Sequence, residues 1–549
     1  MISEEWKPKL FTLLKDGINQ KQLKRDISSG VLVGIIALPL AIAFAIASGV
    51  SPDKGIITAI IAGFIISFLG GSRVQIGGPT GAFIVIVSSI ISRYGFNGLL
   101  ISTFMAGIIL IFMGILKMGS LLKYIPQTLI TGFTTAIAVI IFTTQIKDFL
   151  GLTVTSVPDK FISKWIFYVQ NLNNINLWSI FIGILTIVII IILPRLTKKL
   201  PAAFAALIIT TIIAKFGDLP VDTIFSKFGN LSFSVPRPVL FTLDFQTVKT
   251  LLAPAVTIAL LGSLESLLSA VVADGMIGGR HRSNIELIAQ GAANMLVPLF
   301  GGIPATGAIA RTAANVNNGG RTPIAGIVHA VTLFLIYLVA MPIVKYIPMA
   351  SLSGILILVA WNMSDMKEFV NIIKINIYEA MVLLTTFVLT LITDLTIAIP
   401  IGFVLSTILF MKRMSDSIEL TPLLTINKEN GEIFSQEIGA FSKEILIFDI
   451  NGPMFFGSVH HLLSVRNQIH TDHKFLILRF RYVPIVDASG LKKLESVLKD
   501  FQKRNIPVVF SGVNNKLRKK FSTSSLLDDD LVFEDIHEAL AYAENELKA

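Results

Sequence analysis

Long apolar runs separated by short polar stretches fill the first three quarters of this chain. A helix of about 20 apolar residues is long enough to cross the hydrocarbon core of a membrane. The pattern predicts about fourteen membrane elements between residues 30 and 412, and an even number places both termini on one side. The clear apolar runs include 31–48, 99–116, 129–144, 179–193, 324–341 and 397–411, and others, such as 56–69 and 202–214, are shorter or broken by glycine and proline.

Composition supports a membrane protein and argues against a soluble enzyme. Of the 549 residues, 53% are hydrophobic and only 15% are charged, whereas soluble domains carry about 25% charged residues. The absence of cysteine excludes disulfides, thiolate zinc sites and cysteine nucleophiles. The histidines and serines form no catalytic or metal-binding pattern, so we expect neither an enzyme nor a cofactor.

The positive charge is concentrated in the apolar part of the chain. Residues 1–412 contain 29 lysines and arginines against 17 acidic residues, while residues 413–549 contain 17 against 19. Positive charge between spans marks cytoplasmic loops, which predicts cytoplasmic termini in the cell (inner) membrane. The charges are too scattered for nucleic-acid binding. The basic residues that set this orientation are Lys21, Lys24, Arg25, Arg195, Lys198, Lys199, Arg280, Arg282, Lys412 and Arg413.

Two segments, 77–82 and 301–308, break the pattern of apolar spans. Each contains paired glycines, a proline, a threonine and a further glycine, followed by too few residues to cross a bilayer. Each therefore predicts an extended stretch that enters a half-helix inside the membrane. Broken helices in matching positions are typical of inverted-repeat transporters with a site at the midplane. Tight turns between complete spans are the alternative.

Two half-helix N-termini that converge favour an anion, because they present unpaired N–H groups and partial positive charge. Thr80 and Thr306 can add hydroxyl donors, and Gly81 and Gly307 allow the backbone to approach the anion closely. Arg311 lies one to two turns into the second half-helix. It either contacts the substrate or makes a structural contact to the neighbouring bundle or to the cytoplasmic face.

Glu265 is an isolated carboxylate in an apolar span, which is a functional-site hypothesis by default. Apolar surroundings disfavour the charged form of a carboxyl group, so Glu265 is a candidate proton carrier. Ser269, four residues later, lies on the same helical face. The pair can instead supply oxygen ligands to sodium, and a neutral glutamic acid bonded within the bundle is the structural alternative.

Residues 413–549 predict a soluble α/β domain. Apolar runs at 444–450, 474–480 and 507–511 indicate strands, and segments 459–468 and 489–503 indicate helices. Ser489 precedes the second helix and is expected to cap it, or to serve as a regulatory phosphoacceptor. The predicted organisation is an N-terminal cytoplasmic segment (1–29), a transmembrane domain (30–412) and a cytoplasmic tail (413–549).

Together these motifs resemble the SulP anion transporter family, which includes prestin and pendrin. The resemblance rests on the first span from Ala37 to Gly49, the 78–81 Gly-Pro-Thr-Gly motif, the Glu265 span and the 310–312 Ala-Arg-Thr motif. The tail motif Asp-Ala-Ser-Gly at 487–490 resembles the STAS domain of that family.

The resemblance implies a 7+7 inverted repeat with two half-helices, alternating access and a homodimer. It also implies which residues surround the substrate: Phe44, Thr80, Gly81, Ala82, Gly307, Ala308 and Ile309. A glutamate at position 265 is typical of proton-coupled members, whereas sodium-coupled members carry a carboxylate and a hydroxyl at positions 265 and 269. The expected substrate is sulfate, bicarbonate or a dicarboxylate.

Two other functions are alternatives to anion transport. A nucleobase–proton symporter has a similar fold, but its site needs a second carboxylate on the second half-helix, and residues 304–316 contain none. A membrane-tethered signalling protein is the other, with the tail as its effector.

Overall fold

The computed structural model describes residues 4–153, 157–158, 160–197, 200–229, 238, 241, 244–393, 395–422, 442, 444–456, 473–523 and 531–548. The chain forms two compact units, Met1–Val404 and Leu405–Ala549. The first is helical apart from two very short strands. The second contains a five-stranded sheet.

Seventeen α-helices occur in the described residues up to the end of the apolar part. They are α1 (Lys9–Asp16), α2 (Gln20–Ala47), α3 (Pro52–Leu69), α4 (Ile84–Ile115), α5 (Gln127–Leu150), α6 (Phe161–Gln170), α7 (Leu177–Leu196), α8 (Ala202–Phe216), α9 (Ile224–Phe228), α10 (Phe245–Ile277), α11 (Ser283–Leu299), α12 (Ile309–Asn317), α13 (Ile324–Val344), α14 (Met349–Met363), α15 (Met366–Ile375), α16 (Ile377–Ile392) and α17 (Leu395–Asp416). The two short strands are β1 (Gly77–Gly78) and β2 (Thr306–Gly307).

Within the described part of the chain, nine helical stretches are long and apolar enough to cross a membrane. They are α2, α3, α4, α5, α7, α10, α13, α14 with α15, and α17. Helices α8 and α16 are shorter and also apolar. The long apolar runs read from the sequence are thereby confirmed as helices, and the protein is an integral membrane protein. The total of fourteen elements stays a prediction.

Side-chain burial separates inner helices from outer ones. About two thirds of the most apolar window of α2 is buried, against 22% for α7. Exposed isoleucines on α7 suit contact with lipid, which solvates aliphatic side chains as well as a protein core does. Helix α2 is therefore part of the packed interior.

Close packing around the broken segments depends on small residues. Helices α4 and α11 cross at Gly107 and Gly291, where a Cβ on Gly107 would lie 2.7 Å from the Gly291 carbonyl oxygen. Glycine is required there because any side chain would push the two helices apart. The crossing holds α11 against α4, which carries the first half-helix.

The C-terminal unit is an α/β domain with strand order β3-β4-β5-β6-β7. Strands β4 to β7 run parallel, and β3 pairs antiparallel with β4. Its described elements are β3 (Glu419–Pro422), β4 (Ile445–Asn451), β5 (Phe475–Tyr482), α18 (Ala488–Gln502), β6 (Val508–Ser511), α19 (Asn515–Thr523), β7 (Val532–Phe533) and α20 (Ile536–Lys548).

The α/β prediction for the tail is confirmed, with two differences: the sheet has added strands, and a different residue caps α18. Strands β3 and β7 are additions, because both are too short to produce a recognisable apolar run. The predicted helix at 459–468 lies outside the described residues. Ser489 is not the helix cap: Asp487 is, since its carboxylate accepts a 2.7 Å hydrogen bond from the Gly490 N–H. Ser489 is exposed in the first turn of α18.

Candidate anion-binding site

The two broken segments meet in the interior of the membrane unit. Strands β1 and β2 pair antiparallel, with Gly77 opposite Gly307 and Gly78 opposite Thr306. The Ala308 N–H extends this pairing by donating to the Ile76 carbonyl at 2.9 Å. The pairing explains how extended backbone survives at this depth, because each strand satisfies polar groups of the other.

Each strand leads into a helix that starts inside the bundle. After β1, residues Gly81–Phe83 form a 3-10 turn that continues into α4. Helix α4 is interrupted at Gly95, whose φ of 70° and ψ of −179° are not helical. The residues before Gly95 therefore form the half-helix predicted from the sequence. After β2, α12 is only 9 residues long and is the second half-helix.

Neither helix start is capped by a side chain. Thr80 precedes the first start and Ala308 precedes the second, and neither makes a side-chain capping hydrogen bond. Backbone N–H groups in the first turn of a helix need an acceptor from outside the helix. Two uncapped starts on paired strands thus form a place where an anion can accept hydrogen bonds.

Side chains from three other helices surround the first helix start. A Cβ on Gly81 would lie 3.1 Å from Met363 Sδ, 3.5 Å from a ring carbon of Phe44 and 3.6 Å from Ile141. These residues belong to α14, α2 and α5, so Phe44 does lie beside Gly81 as the family resemblance implies. Ala82 is buried next to Gly81.

The second broken segment is tied to α10 through Ser266. The Ser266 Oγ lies 2.6 Å from Thr306 Oγ1 and accepts a 3.0 Å hydrogen bond from the Gly307 N–H. Thr306 Oγ1 also donates to the Gly262 carbonyl at 3.1 Å. Thr306 is therefore committed to a structural network, and it is not the free hydroxyl donor expected from the sequence.

Helices α11 and α3 hold the chain just before β2. The Asn294 side chain accepts from the Ala305 N–H at 2.9 Å and donates to the Ala305 carbonyl at 2.8 Å. Thr58 Oγ1 accepts from the Ile303 N–H at 2.8 Å. These side chains replace the partner strand that an extended segment would otherwise need.

Glu265 lies on the face of α10 that contacts the second broken segment. Gly262 and Ser266 contact Thr306, and Ser269 Oγ lies 3.3 Å from Thr312 Oγ1 on α12. Glu265 lies one residue before Ser266 and four before Ser269, which places it at the edge of this helical face. Its side chain is half-buried. Among the described residues, none donates a hydrogen bond to its carboxyl group or forms an ion pair with it. The carboxyl group is thus open to a proton or cation.

Arg311 bridges the two broken segments. Its side chain is 2% exposed, and one guanidinium nitrogen donates to the Pro79 carbonyl. The other terminal nitrogen has no hydrogen-bond partner among the described residues. The contact to Pro79 joins Arg311 to the other broken segment, and the remaining N–H groups keep positive charge near both helix starts.

Sequence reasoning missed Ser266, Asn294 and Gln75. The Gln75 side chain donates to the Ser266 carbonyl at 3.0 Å and packs against Gly307. Asn294 and Gln75 are polar side chains beside broken segments, which is the signal that points to them. Ser266 was indistinguishable from the neighbouring serines on α10, because only the tertiary structure shows which one faces β2.

This architecture defines a membrane transporter built around two broken helices. The profile of the sulfate permease family matches residues 23–386, and that of the STAS domain matches residues 440–539. The chain belongs to the sulfate permease family and is an anion transporter, not an enzyme.

Known proteins similar to this chain span nearly its whole length. "Putative sulfate transporter YvdB" of Bacillus subtilis (strain 168) is 39% identical over 512 residues, covering 93% of this chain and 95% of that protein. "Bicarbonate transporter BicA" of Picosynechococcus sp. (strain ATCC 27264 / PCC 7002 / PR-6) is 29% identical over 530 residues, covering 93% of this chain and 92% of that protein.

Solved structures agree with the fold. The transmembrane domain of a cyanobacterium BicA matches with a TM-score of 0.60 at 30% identity, covering 70% of this chain and 98% of that one. The structure of SLC26A9 matches with a TM-score of 0.86 at 17% identity, covering 98% of this chain and 93% of that one. This second similarity shows the shared fold alone.

Proposed function

We propose that this protein is a secondary active transporter that carries sulfate, bicarbonate or a dicarboxylate together with a proton. The anion binds between the two helix starts, near Gly81 and Ile309, and the protein works by alternating access. The observation that carries this proposal is the pairing of β1 with β2, which brings together two uncapped helix starts, and the contact of the second segment with α10, the helix that carries Glu265.

Exposure and charge support the position of the anion. Ile309 is 40% exposed although it begins a helix in the membrane unit, so other side chains do not fully cover the second helix start. Thr80 Oγ1 has no hydrogen-bond partner among the described residues and lies beside the first start. A free hydroxyl, uncapped N–H groups and the Arg311 guanidinium are all donors, as an anion requires.

Glu265 supports coupling to a proton. An ionised carboxylate beside the anion repels it, and protonation removes that repulsion. Anion and proton therefore bind with positive and reciprocal cooperativity. Sodium is the alternative coupling ion, with Glu265 and Ser269 as oxygen ligands. Ser269 already contacts Thr312, which favours the proton.

Uptake into proteoliposomes tests this function. Labelled sulfate, bicarbonate and fumarate are offered first under an inward proton gradient without sodium, then under a sodium gradient at constant pH. We expect accumulation under the proton gradient. Accumulation under the sodium gradient alone would make Glu265 a cation ligand, and failure to move any anion would favour a signalling protein.

The Glu265→Gln variant sharpens the test, because glutamine resembles the protonated carboxyl group. We expect this variant to retain anion exchange and to lose accumulation driven by the proton gradient. Glu546→Gln, an exposed substitution on α20, is the matched control and should accumulate the anion normally. Gradient-driven accumulation by Glu265→Gln would contradict proton coupling through this residue.

We also propose that the protein resides in the cell (inner) membrane as a homodimer with both termini cytoplasmic. The positive charge beside the spans supports the orientation. The native chain lacks cysteine, so a single cysteine placed at residue 16 or 548 reports which side it faces. Labelling from outside intact cells would overturn the orientation, and a monomeric mass in detergent would overturn the dimer.

Ser489 stays a candidate regulatory phosphoacceptor, which mass spectrometry of the purified protein tests.

A further inference from the structure

The short helix α1 lies on the surface of the membrane unit, at the end of the spanning helix α3. The Lys9 N–H donates to the Gly70 carbonyl at 3.0 Å, just beyond the last residue of α3. The Phe11 ring meets the Phe68 ring edge to face, with the two centroids 5.4 Å apart. With 8 residues, α1 is too short to cross a membrane. It is therefore held at the level where α3 ends.

A loop from another part of the unit also holds α1 in place. The Arg282 guanidinium, between α10 and α11, donates to the Lys7 carbonyl at 2.6 Å and to Thr12 Oγ1 at 2.9 Å. Helix α1 is thus fixed on two sides, by α3 and by this loop. Its remaining face is set by these contacts and does not depend on a flexible attachment.

The remaining face of α1 is apolar and uncovered. Phe11 is 47% exposed and Leu14, one turn later, is 55% exposed, whereas Leu10 is buried. The aromatic contact continues along α3, because Phe64 stacks on Phe68 at 5.7 Å and is itself exposed. An exposed phenylalanine on a spanning helix suits contact with lipid. The apolar face of α1 therefore continues the lipid-facing surface of α3.

Basic side chains surround this apolar face. Lys7 precedes α1 and Lys15 lies in its last turn, and both are exposed. The two loops that contact α1 add Arg73 and Arg280, which are also exposed. Among the described residues, none of these four side chains forms an ion pair. Their charges are therefore available to a partner outside the protein.

The acidic side chains nearby do not balance this charge. Of the side chains that the structure describes here, Glu5 and Asp16 are exposed carboxylates. Asp274 is bound to His281 at 2.7 Å. Glu286 is buried and accepts from two backbone N–H groups of the loop before β1, at 2.8 Å and 3.0 Å. The surface around α1 is thus positive.

We propose that α1 binds the headgroups of anionic phospholipids, with Phe11 and Leu14 in the apolar layer beneath them. Helices that combine an apolar face with lysine and arginine lie in the membrane interface in this way. Each basic residue close to the surface adds attraction to anionic lipid. A lipid is the occupant because the apolar face is continuous with the lipid-facing side of α3. The bound lipid lies outside the helix bundle, apart from the transport site.

Fluorescence quenching tests the proposal in the full-length protein. The chain has no cysteine, so Leu14→Cys places a single fluorophore on the apolar face of α1. The labelled protein is reconstituted in mixed vesicles of phosphatidylcholine and phosphatidylglycerol. A nitroxide on the acyl chain is carried by one lipid or the other at the same mole fraction. We expect both to quench, with phosphatidylglycerol enriched at least about threefold around the fluorophore, since each lysine near the surface attracts anionic lipid.

Two charge variants in the Leu14→Cys background show whether α1 causes the enrichment. Lys7→Gln/Lys15→Gln should lose most of the preference for phosphatidylglycerol, while the fluorophore stays in lipid. Lys367→Gln/Lys374→Gln is the matched control, because it removes the same charge from exposed positions of α15, which packs on α5 and α16. This control should keep the preference.

The position of α1 is checked with a second label. A fluorophore at Asp16→Cys, on the exposed polar side of α1, should be quenched by iodide in solution more than by lipid nitroxides. Equal enrichment of the two lipids around residue 14, or an enrichment that survives Lys7→Gln/Lys15→Gln, would overturn the proposal. A fluorophore at residue 14 that only iodide quenches would place α1 in water. One that neither reagent quenches would place it under protein, and both results also overturn the proposal.

Discussion

The two broken segments look alike in sequence, but the protein holds them in different ways. Thr306 of the second segment is bound to Ser266 and Gly262, and Asn294 fixes the residue before it. Thr80 of the first segment has no hydrogen-bond partner among the described residues. The second segment is thus attached to α10, the helix that carries Glu265, whereas the first presents an unused donor.

This difference predicts different roles for the two broken segments. If Glu265 carries the coupled proton, as proposed above, the hydrogen bonds between the second segment and α10 connect its protonation to the position of one helix start. The first segment contacts α14, α2 and α5 at Gly81 and has a free hydroxyl to offer a substrate. We therefore expect changes in the second segment to affect folding and coupling, and changes in the first to affect anion affinity.

The largest effect is expected from Gly307→Val. A Cβ at Gly307 would overlap the buried side-chain amide of Gln75, so valine must displace Gln75 and separate β2 from Ser266. Anion uptake in proteoliposomes should be abolished, and thermal stability should fall. Gly275→Val on α10 is the control, because a Cβ there would meet no atom within 4 Å. Normal uptake by Gly307→Val would remove the second segment from the site.

Asn294→Ala should have the next largest effect. The substitution leaves the buried N–H and carbonyl of Ala305 unpaired, which costs about 2–4 kcal/mol of stability. The unfolding temperature in detergent should drop, with reduced uptake by the protein that remains folded. Asn318→Ala, which removes an exposed hydrogen bond, should change neither. Native stability in Asn294→Ala would mean that the second segment is not held as described.

Threonine-to-valine substitutions give the smallest effects and the sharpest contrast. Thr306→Val removes two buried hydrogen bonds and should destabilise the protein by about 1–3 kcal/mol. Thr80→Val removes an unpartnered hydroxyl, so stability should be unchanged or slightly higher. If that hydroxyl contacts the anion, the KM for uptake rises about threefold to tenfold. Equal loss of stability in both variants would contradict the asymmetry.

The architecture of the membrane unit follows from the sequence to a large extent. Three local features carry the prediction: apolar runs of spanning length, the paired Gly/Pro/Thr breaks and the isolated Glu265. Each can be interpreted from the neighbouring residues alone. They led to a helical membrane protein with two half-helices, which the structure confirms. Such features can be recognised in the sequence of a membrane protein, because an irregular backbone or a charge inside lipid is costly and occurs where the structure or function requires it.

Only the tertiary structure decided how these features act together. The pairing of Gly77 with Gly307 joins residues 230 positions apart, and no local pattern encodes it. Which serine of α10 faces β2 depends on helix rotation of a fraction of a turn, and which threonine has a free hydroxyl depends on the residues that the fold packs around each broken segment.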